Sequence, residues 1–155
     1  MKDEKRESPN KMSERQARQL LDEAIKVAGN AYNPRSNFAV GAAVLTKKGN
    51  IYHGVNVESV ISGLGTCAER NALDTMCTNG EYDPIAISCV CPGNNVFHPC
   101  GACLQYIFEF STVAQHDIDI VYGAQDGTME QSTARTLLPG GFGPTNYDLA
   151  RFRRS

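Results

Sequence analysis

Two short cysteine motifs constrain the fold of this chain more than any other feature. The first is Thr66-Cys67-Ala68-Glu69-Arg70, and the second is Pro99-Cys100-Gly101-Ala102-Cys103. A catalytic zinc site takes three protein ligands and keeps one coordination position open for water, whereas structural zinc usually has four protein ligands. Because three thiols can share one ion only where these two segments meet, we predict one zinc bound by Cys67, Cys100 and Cys103.

Glu69 stands two residues after the first predicted ligand, which places a carboxylate beside the open zinc position. Such a carboxylate can take a proton from zinc-bound water and return it to a leaving group, so we predict Glu69 as the catalytic residue. An apolar helical pattern follows each motif, which puts the ligands at helix N-termini. Backbone N–H groups and the helix dipole favour thiolate there, and thiolate is the form that binds zinc.

The rest of the chain alternates between helical and strand patterns. Apolar residues at helical spacing predict helices at about 13–28, 67–78 and 100–111, with a short helical turn at 134–138. Shorter apolar runs predict strands at 38–45, 51–57, 85–91 and 117–122, and a more polar segment predicts an edge strand at 128–133. Ser13 and Gln16 form a predicted capping box at the first helix. This order predicts an α/β fold with a mixed five-stranded sheet and helices on both faces.

Length and charge restrict the function. The chain has 155 residues and a net charge of −2, which fits a single domain over residues 12–155 and offers no basic excess for gripping a nucleic acid. No apolar run approaches the ~20 residues of a membrane span. The expected partner is therefore a small molecule, and not a nucleic acid or a membrane. Residues 1–11 are polar; we predict a disordered tail there, without the apolar core of a secretory signal.

Three of the six cysteines remain outside the predicted zinc site, namely Cys77, Cys89 and Cys91. An odd number of thiols cannot form a complete disulfide framework, and free thiols suit a reducing compartment. We therefore expect a cytoplasmic protein. Cys89 and Cys91 alternate with Val90 in an apolar run, so we expect both to be small buried core residues. His98 is interpreted as a loop residue near the site, because the second motif already supplies two ligands.

The chain resembles the small zinc-dependent cytidine deaminases, and the resemblance extends well beyond the zinc motifs. It covers about residues 31–144 in the family's order, with the further segments AYNPRSNF at 31–38, VGAA at 40–43, GVNVE at 54–58, LLP at 137–139 and FGP at 142–144. The resemblance implies the three-layer αβα sandwich of that family and a homotetramer with one zinc per subunit. It also implies hydrolytic deamination of cytidine or 2′-deoxycytidine to uridine or 2′-deoxyuridine, with release of ammonia, in pyrimidine salvage.

The same resemblance implies roles for residues outside the zinc ligands. Phe38 would lie against the base, Asn56 and Glu58 would hold the ribose, and Phe142 would reach a neighbouring subunit's pocket. Ala68 is also carried over as a substrate-binding residue. From the residues alone, the simpler interpretation of Asn56 and Glu58 is a turn residue and a solvated carboxylate at a strand end.

Arg70 is expected to hydrogen-bond a ligand sulfur, because three thiolates leave a zinc site with excess negative charge. The alternative for Arg70 is a surface salt bridge. The chain also departs from the family pattern at three places. Leu104 stands where many relatives have Arg, so one compensating cation is missing. The loop SVISG at 59–63 replaces Asn-Ala followed by an aromatic residue, and Gly141 replaces a common Ala.

Three other functions fit parts of this sequence. Deaminases of a modified cytosine nucleoside, such as blasticidin S, form a related branch, but they do not keep the full Asn-x-Glu pair, so Glu58 favours an ordinary sugar. A deaminase of DNA or RNA would need a channel for a charged strand, which the net charge of −2 does not suggest. A non-catalytic domain stabilised by zinc would need a fourth ligand, for which His98 is the candidate.

Overall fold

The computed structural model describes residues 11–94, 96–144 and 147–153. Its helices are α1 (Glu14–Ala28), α2 (Ala68–Thr78), α3 (Gly101–Ala114) and α4 (Ala134–Leu137), and its strands are β1 (Gly41–Thr46), β2 (Ile51–Val55), β3 (Pro84–Cys91), β4 (Asp119–Ala124) and β5 (Met129–Thr133). The predicted disordered tail at 1–11 lies outside the described residues except for Lys11. Within the described ranges, every helix is too short or too polar to cross a membrane.

The five strands form one mixed sheet in the order β2-β1-β3-β4-β5. β1 pairs antiparallel with β2 and with β3, β3 pairs parallel with β4, and β4 pairs antiparallel with β5. A tight turn is enough to join the antiparallel β1 and β2, whereas the parallel pair needs a crossover, which α3 provides. The predicted mixed sheet of five strands is therefore confirmed.

Alternating side chains along the strands divide the core into two layers. Neighbouring strand residues point to opposite faces of a sheet. Ala43 and Val121 pack with the apolar side of α1, whereas Ala42, Val44 and Ile120 pack with α2 and α3. All five side chains are fully buried. Helical layers thus cover both faces of the sheet, which confirms the three-layer αβα sandwich.

The predicted start of the first strand is wrong, because β1 begins at Gly41 and not at Phe38. Asn37 has a φ of 53°, which turns the chain just before this segment. The Asn56 side chain then takes the place of a neighbouring strand, since its Oδ1 accepts from Val40 N at 2.8 Å and its Nδ2 donates to Phe38 O at 2.9 Å. A side chain therefore binds these backbone groups, and β2 correspondingly ends before Asn56.

The boundaries of α3 and β4 also differ from the prediction. Helix α3 continues to Ala114 and ends where Gln115 adopts a φ of 64°. β4 begins at Asp119, whereas the sequence predicts a strand from Asp117. The carboxylate of Asp117 accepts from Arg135 N at 3.1 Å, so this residue holds the first turn of α4 and does not extend the strand.

Candidate metal and active site

The three cysteines that the sequence singles out lie together in the fold. The sulfur atoms of Cys67, Cys100 and Cys103 all lie within 4.8 Å of one another, and Cys67 Sγ is 3.9 Å from Cys100 Sγ. Two sulfurs bound to one tetrahedral zinc at bond lengths of about 2.3 Å are separated by about 3.8 Å. The spacing and the thiol chemistry therefore fit one zinc ion.

Helix N-termini place all three thiols. Cys67 is the N-cap of α2 and Cys100 is the N-cap of α3, and neither side chain caps its own helix. Both sulfurs can therefore turn toward a shared point. Cys103 is buried in the first turn of α3. The backbone N–H groups and the dipoles of two helices offset negative charge at this point, which stabilises thiolates.

The three thiols form a hydrogen-bonded group. The pKa of Cys67 falls to about 5, because the Cys103 thiol donates to its sulfur and Arg70 and Cys100 add further donors. Arg70 Nη2 lies 3.9 Å from Cys67 Sγ. The same bond to Cys67, together with burial, raises the pKa of Cys103. A metal ion that binds these sulfurs would displace the remaining thiol protons, because thiolate is the form that ligates it.

Glu69 is a buried carboxyl beside these thiols. It lies in the first turn of α2 and is only 5% exposed. Burial raises the pKa of Glu69, and the negative charge of Cys67 raises it further. A buried carboxyl next to the thiols is placed to accept and donate a proton at the open metal position. A bound dication acts in the opposite direction, so burial and metal charge together set the protonation of Glu69.

In the described part of the chain, no fourth ligand joins the three thiols. The predicted loop residue His98 is exposed, and its Nδ1 lies 2.8 Å from Pro99 O. Cys77, Cys89 and Cys91 are free thiols. Cys89 and Cys91 are both buried in β3, which confirms that they are small core residues.

The two predicted ribose-binding residues contact the segment that carries Phe38. Asn56 accepts from Val40 N through its Oδ1 and donates to Phe38 O through its Nδ2. Glu58 Oε2 accepts from Arg35 N at 2.8 Å and from Ser36 N at 3.3 Å, and Glu58 Oε1 accepts from the Ser36 hydroxyl. A carboxylate offers about four acceptor sites, and an amide offers two N–H groups and two lone pairs. Both side chains therefore keep hydrogen-bonding capacity for a ligand.

Short backbone bridges connect this pair to the first thiol. Val57 pairs with Tyr32 on one side and with Thr66 on the other. The N–H···O bonds that Val57 and Thr66 exchange are 3.0 and 2.9 Å long, and Thr66 directly precedes Cys67. The predicted sugar-binding residues and the first predicted zinc ligand thus belong to one connected backbone unit.

Phe142 lies at the surface on a turn that packs tightly against α3. Its side chain is 81% exposed, while its backbone is bound on both sides by Gln105. Gln105 Nε2 donates to Phe142 O at 2.5 Å, and Gln105 Oε1 accepts from Phe142 N at 3.3 Å. A Cβ atom at Gly141 would lie 2.7 Å from the Phe108 ring, so a larger residue next to Phe142 would force that ring to shift. The turn therefore fixes the backbone that carries this exposed aromatic ring.

Sequence reasoning missed three residues that hold these side chains, namely Arg35, Ser36 and Gln105. Each makes its contact with a residue far along the chain, so no local pattern identifies it. The available signal was position, since two of them stand within the resemblance at 31–38 and Gln105 follows the second motif closely. Two other residues named in the sequence analysis are buried. Ala68 is fully buried, and Leu104, which lies on α3, packs in the core layer that α2 and α3 form with the sheet.

A separate cleft of about 360 Å³ lies at the opposite ends of α2 and α3. Cys77, Phe110, Val113 and Leu149 are among its lining residues. These residues belong to the C-terminal ends of the two helices and to the end of the described chain, whereas the thiols lie at the helix N-termini. The cleft is therefore not part of the candidate metal site.

Comparison with known proteins identifies a set of similar chains. The cytidine and deoxycytidylate deaminase zinc-binding region is the family whose model matches residues 14–116. A cytidine deaminase of Halalkalibacterium halodurans is 39% identical over 123 residues, which cover 79% of this chain and 91% of that protein. A cytidine deaminase of Sporosarcina psychrophila is 35% identical over 131 residues, covering 84% of this chain and 94% of that protein. The crystal structure of cytidine deaminase from Burkholderia pseudomallei has a TM-score of 0.74 at 34% identity, covering 84% of this chain and 100% of that one.

Proposed function

The chain belongs to the zinc-dependent cytidine deaminase family, and on that premise we propose that it deaminates cytidine and 2′-deoxycytidine. Water is the second substrate, and the products are uridine or 2′-deoxyuridine and ammonia. The observation that carries this proposal is the cluster of three thiols next to the buried carboxyl of Glu69. A purely structural zinc site has no use for a buried proton-carrying carboxyl.

Glu69 is proposed to move the protons of the reaction. A zinc ion held by Cys67, Cys100 and Cys103 would supply Lewis acidity and lower the pKa of its bound water. Glu69 accepts one proton from the attacking water and delivers it to N3 of the cytosine ring, then accepts the second proton from the hydroxyl group added at C4 and delivers it to the departing amine, which leaves as ammonia. Its burial suits this exchange, because a desolvated carboxyl takes up and releases protons closer to neutral pH.

Arg70 is proposed to relieve the excess negative charge of the site. Three thiolates on Zn²⁺ leave a net negative charge, which opposes ionisation of bound water. Arg70 Nη2 lies 3.9 Å from Cys67 Sγ and draws charge from that sulfur. Since Leu104 brings no charge to α3, the compensation rests on Arg70 and on the two helix N-termini.

Phe38, Asn56, Glu58 and Ala68 are proposed to bind the nucleoside. The support is the connected backbone unit that joins the two polar residues to Cys67. A sugar hydroxyl can take the remaining acceptor site of Glu58, and the Phe38 side chain is 40% exposed and available to a base. This arrangement favours an ordinary ribose or deoxyribose over a modified nucleoside such as blasticidin S.

The proposed assembly is a cytoplasmic homotetramer that acts in pyrimidine salvage, with Phe142 reaching a neighbouring subunit. The support is exposed apolar surface, since Phe142 is 81% exposed and Val60 is 91% exposed. Val60 shares its loop with the exposed Ile61 and Leu64, and neighbouring exposed apolar side chains of this kind mark protein contacts. The free cysteines of the described chain support a reducing compartment.

An absorbance screen with the zinc-loaded protein tests this function. Cytidine, 2′-deoxycytidine, cytosine, dCMP and blasticidin S are offered in parallel, and turnover of the first two is expected. Glu69→Gln should lose at least about a hundredfold in kcat and keep its zinc, whereas Glu109→Gln, at an exposed position on α3, should match the wild type. Turnover of blasticidin S alone would replace the substrate proposed, and full activity of Glu69→Gln would overturn the mechanism.

A further inference from the structure

The Ser36 hydroxyl lies between the carboxylate of Glu58 and the backbone of Phe38. It donates to Glu58 Oε1 and accepts from Phe38 N at 3.0 Å. A hydroxyl has one donor hydrogen and two acceptor lone pairs, so both bonds form together. Ser36 therefore joins a proposed sugar-binding group to the backbone of the proposed base-binding residue.

Glu58 is held in one orientation by the same segment. Its Oε2 accepts from Arg35 N at 2.8 Å and from Ser36 N at 3.3 Å, while the Ser36 hydroxyl uses Oε1. The Ser36 hydroxyl is the largest cause of the lowered pKa of Glu58, followed by Arg35 N. One acceptor site remains on Oε1. A ligand hydroxyl that binds Glu58 would thus share this oxygen with Ser36.

Two further groups fix the Phe38 backbone without touching Glu58. The Asn33 amide, with its oxygen turned toward the backbone, accepts from Phe38 N at 2.9 Å and from Ala39 N at 3.1 Å. Asn56 Nδ2 donates to Phe38 O at 2.9 Å. Within the described ranges, Ser36 is the residue whose side chain bonds both to Glu58 and to Phe38.

We propose that Ser36 is a positioning residue that couples sugar binding at Glu58 to the placement of the Phe38 ring, an inference that rests on the proposed deamination of cytidine. A sugar hydroxyl steadies the Glu58 carboxylate, the carboxylate orients the Ser36 hydroxyl, and the hydroxyl fixes Phe38 N–H. The side-chain bonds of Ser36 are made to Glu58 and Phe38, not to Glu69 or the thiols. Loss of Ser36 therefore changes substrate affinity and leaves proton transfer in place.

A double-mutant cycle on cytidine turnover by the zinc-loaded protein tests the coupling. Ser36→Ala is expected to raise KM about tenfold and to leave kcat within about twofold, because a charge-assisted hydrogen bond on the binding side is lost. Ser36→Thr keeps a hydroxyl and should restore KM. In the Glu58→Gln background, Ser36→Ala should change KM by less than about twofold, because the single carbonyl oxygen of the new amide is taken by Arg35 N and Ser36 N and no longer accepts from the Ser36 hydroxyl.

Asn33→Ala is the matched control, because it also removes an acceptor from Phe38 N but has no bond to Glu58. Its effect on KM should be the same with or without Glu58→Gln. The coupling is refuted if the factors by which Ser36→Ala and Glu58→Gln raise KM multiply in the double variant. It is also refuted if Ser36→Ala lowers kcat and leaves substrate affinity unchanged. Ser36 then only supports the loop. A wild-type protein that fails to turn over cytidine would instead reject the proposed function on which the coupling rests.

Discussion

Arg70 brings a permanent positive charge to a cluster of three thiols. Its Nη2 lies 3.9 Å from Cys67 Sγ, and its Nε is buried without a hydrogen-bond partner among the described residues. The guanidinium is a rigid fork of donors, whereas the lysine ammonium is a compact point charge. Both the charge and the shape of Arg70 should therefore affect how stably the thiolates share one metal ion.

Arg70→Gln is expected to lower zinc affinity about 10–100-fold, the range found for residues that support metal ligands. The loss of a cation next to Cys67 leaves the charge of the thiolates less compensated. Arg70→Lys keeps the positive charge but not the planar group of several donors, and its zinc affinity should lie between those of Arg70→Gln and the wild type. Competition with a chromophoric chelator at one pH measures the affinities, and Arg15→Gln on the exposed side of α1 is the matched control. Equal affinity of Arg70→Gln and wild type would assign Arg70 to the surface and not to the metal site.

At the scale of residues, the sequence predicted the thiols and the carboxyl that the fold brings together, but not the residues that hold the neighbouring side chains. Thiols and a carboxyl at fixed spacing are recognisable because few side chains bind zinc or carry protons. Ser36 and Gln105 are common residue types, and their importance comes from Glu58 and Phe142, which lie far along the chain. Such contacts become visible only when the fold brings the segments together.

Among the elements, the hairpin of β1 and β2 depends on a buried carboxylate that follows α2. Glu81 is only 6% exposed, and its Oε1 accepts from Asn50 Nδ2 at 2.5 Å and from Tyr52 Oη at 2.8 Å. The Thr46 hydroxyl is the largest cause of the lowered pKa of Glu81; burial opposes it, and the bonds from Tyr52 and Asn50 lower the pKa further. The ionised form of Glu81 therefore connects the hairpin to the start of β3.

Glu81→Gln is expected to lower the free energy of unfolding by about 1–3 kcal/mol at neutral pH, because a buried acceptor of several hydrogen bonds loses its charge. Folding lowers the pKa of Glu81, so the stabilisation by its carboxylate is present above the unfolded-state pKa of about 4.3. This stabilisation is lost as the pH falls through the lower folded-state pKa. Urea unfolding measures the free energies of unfolding of Glu81→Gln and the wild type, and the difference between them should be smaller at about pH 3.5 than at about pH 7. Glu109→Gln is the exposed control, and a difference that stays constant with pH would contradict the role of the carboxylate.

Element boundaries were predictable where the determining contact is local. Ser13 accepts from Gln16 N at 3.3 Å and Gln16 accepts from Ser13 N at 3.0 Å, so a pattern within four residues marks the start of α1. The starts of β1 and β4 depend instead on Asn56 and Asp117, whose side chains bind backbone from distant segments. Apolar periodicity identifies an element, and long-range side-chain bonds decide where it begins.

In the molecule as a whole, the two ends of α2 and α3 are built differently. Their N-termini hold the thiols, whereas their C-terminal ends are covered by residues 147–153. Leu149 is buried there, the Phe152 ring packs edge-on against Tyr82 at 5.0 Å, and Arg153 Nε donates to Val113 O at 3.1 Å. Apolar patterning predicted the layers of the sandwich but not this docking, because isolated apolar residues near a chain end carry no periodic signal. The end of the described chain thus stabilises the helices away from the metal site.

The loop at 59–64 leaves several apolar side chains exposed on the single chain. Val60 is 91% exposed, Ile61 is 60% exposed and Leu64 is 65% exposed. Contiguous apolar surface of this kind is typical of a protein interface. This loop follows Glu58 directly and leads to Thr66 and Cys67, so a subunit that covers it would also lie close to the site.

On the proposed homotetramer, we expect the protein to sediment at four times the mass of one chain, and Val60→Asp to shift it to smaller species by placing a charge in the interface. The smaller species should keep zinc, because the thiols belong to one chain, but lose cytidine turnover if a neighbour's Phe142 completes the pocket. Ile51→Asp, at a less exposed position at the far end of β2, is the control and should keep the assembly. Sedimentation velocity with metal analysis and turnover on the same fractions separates these effects. An active wild-type monomer would contradict both the assembly and the role of Phe142 across it.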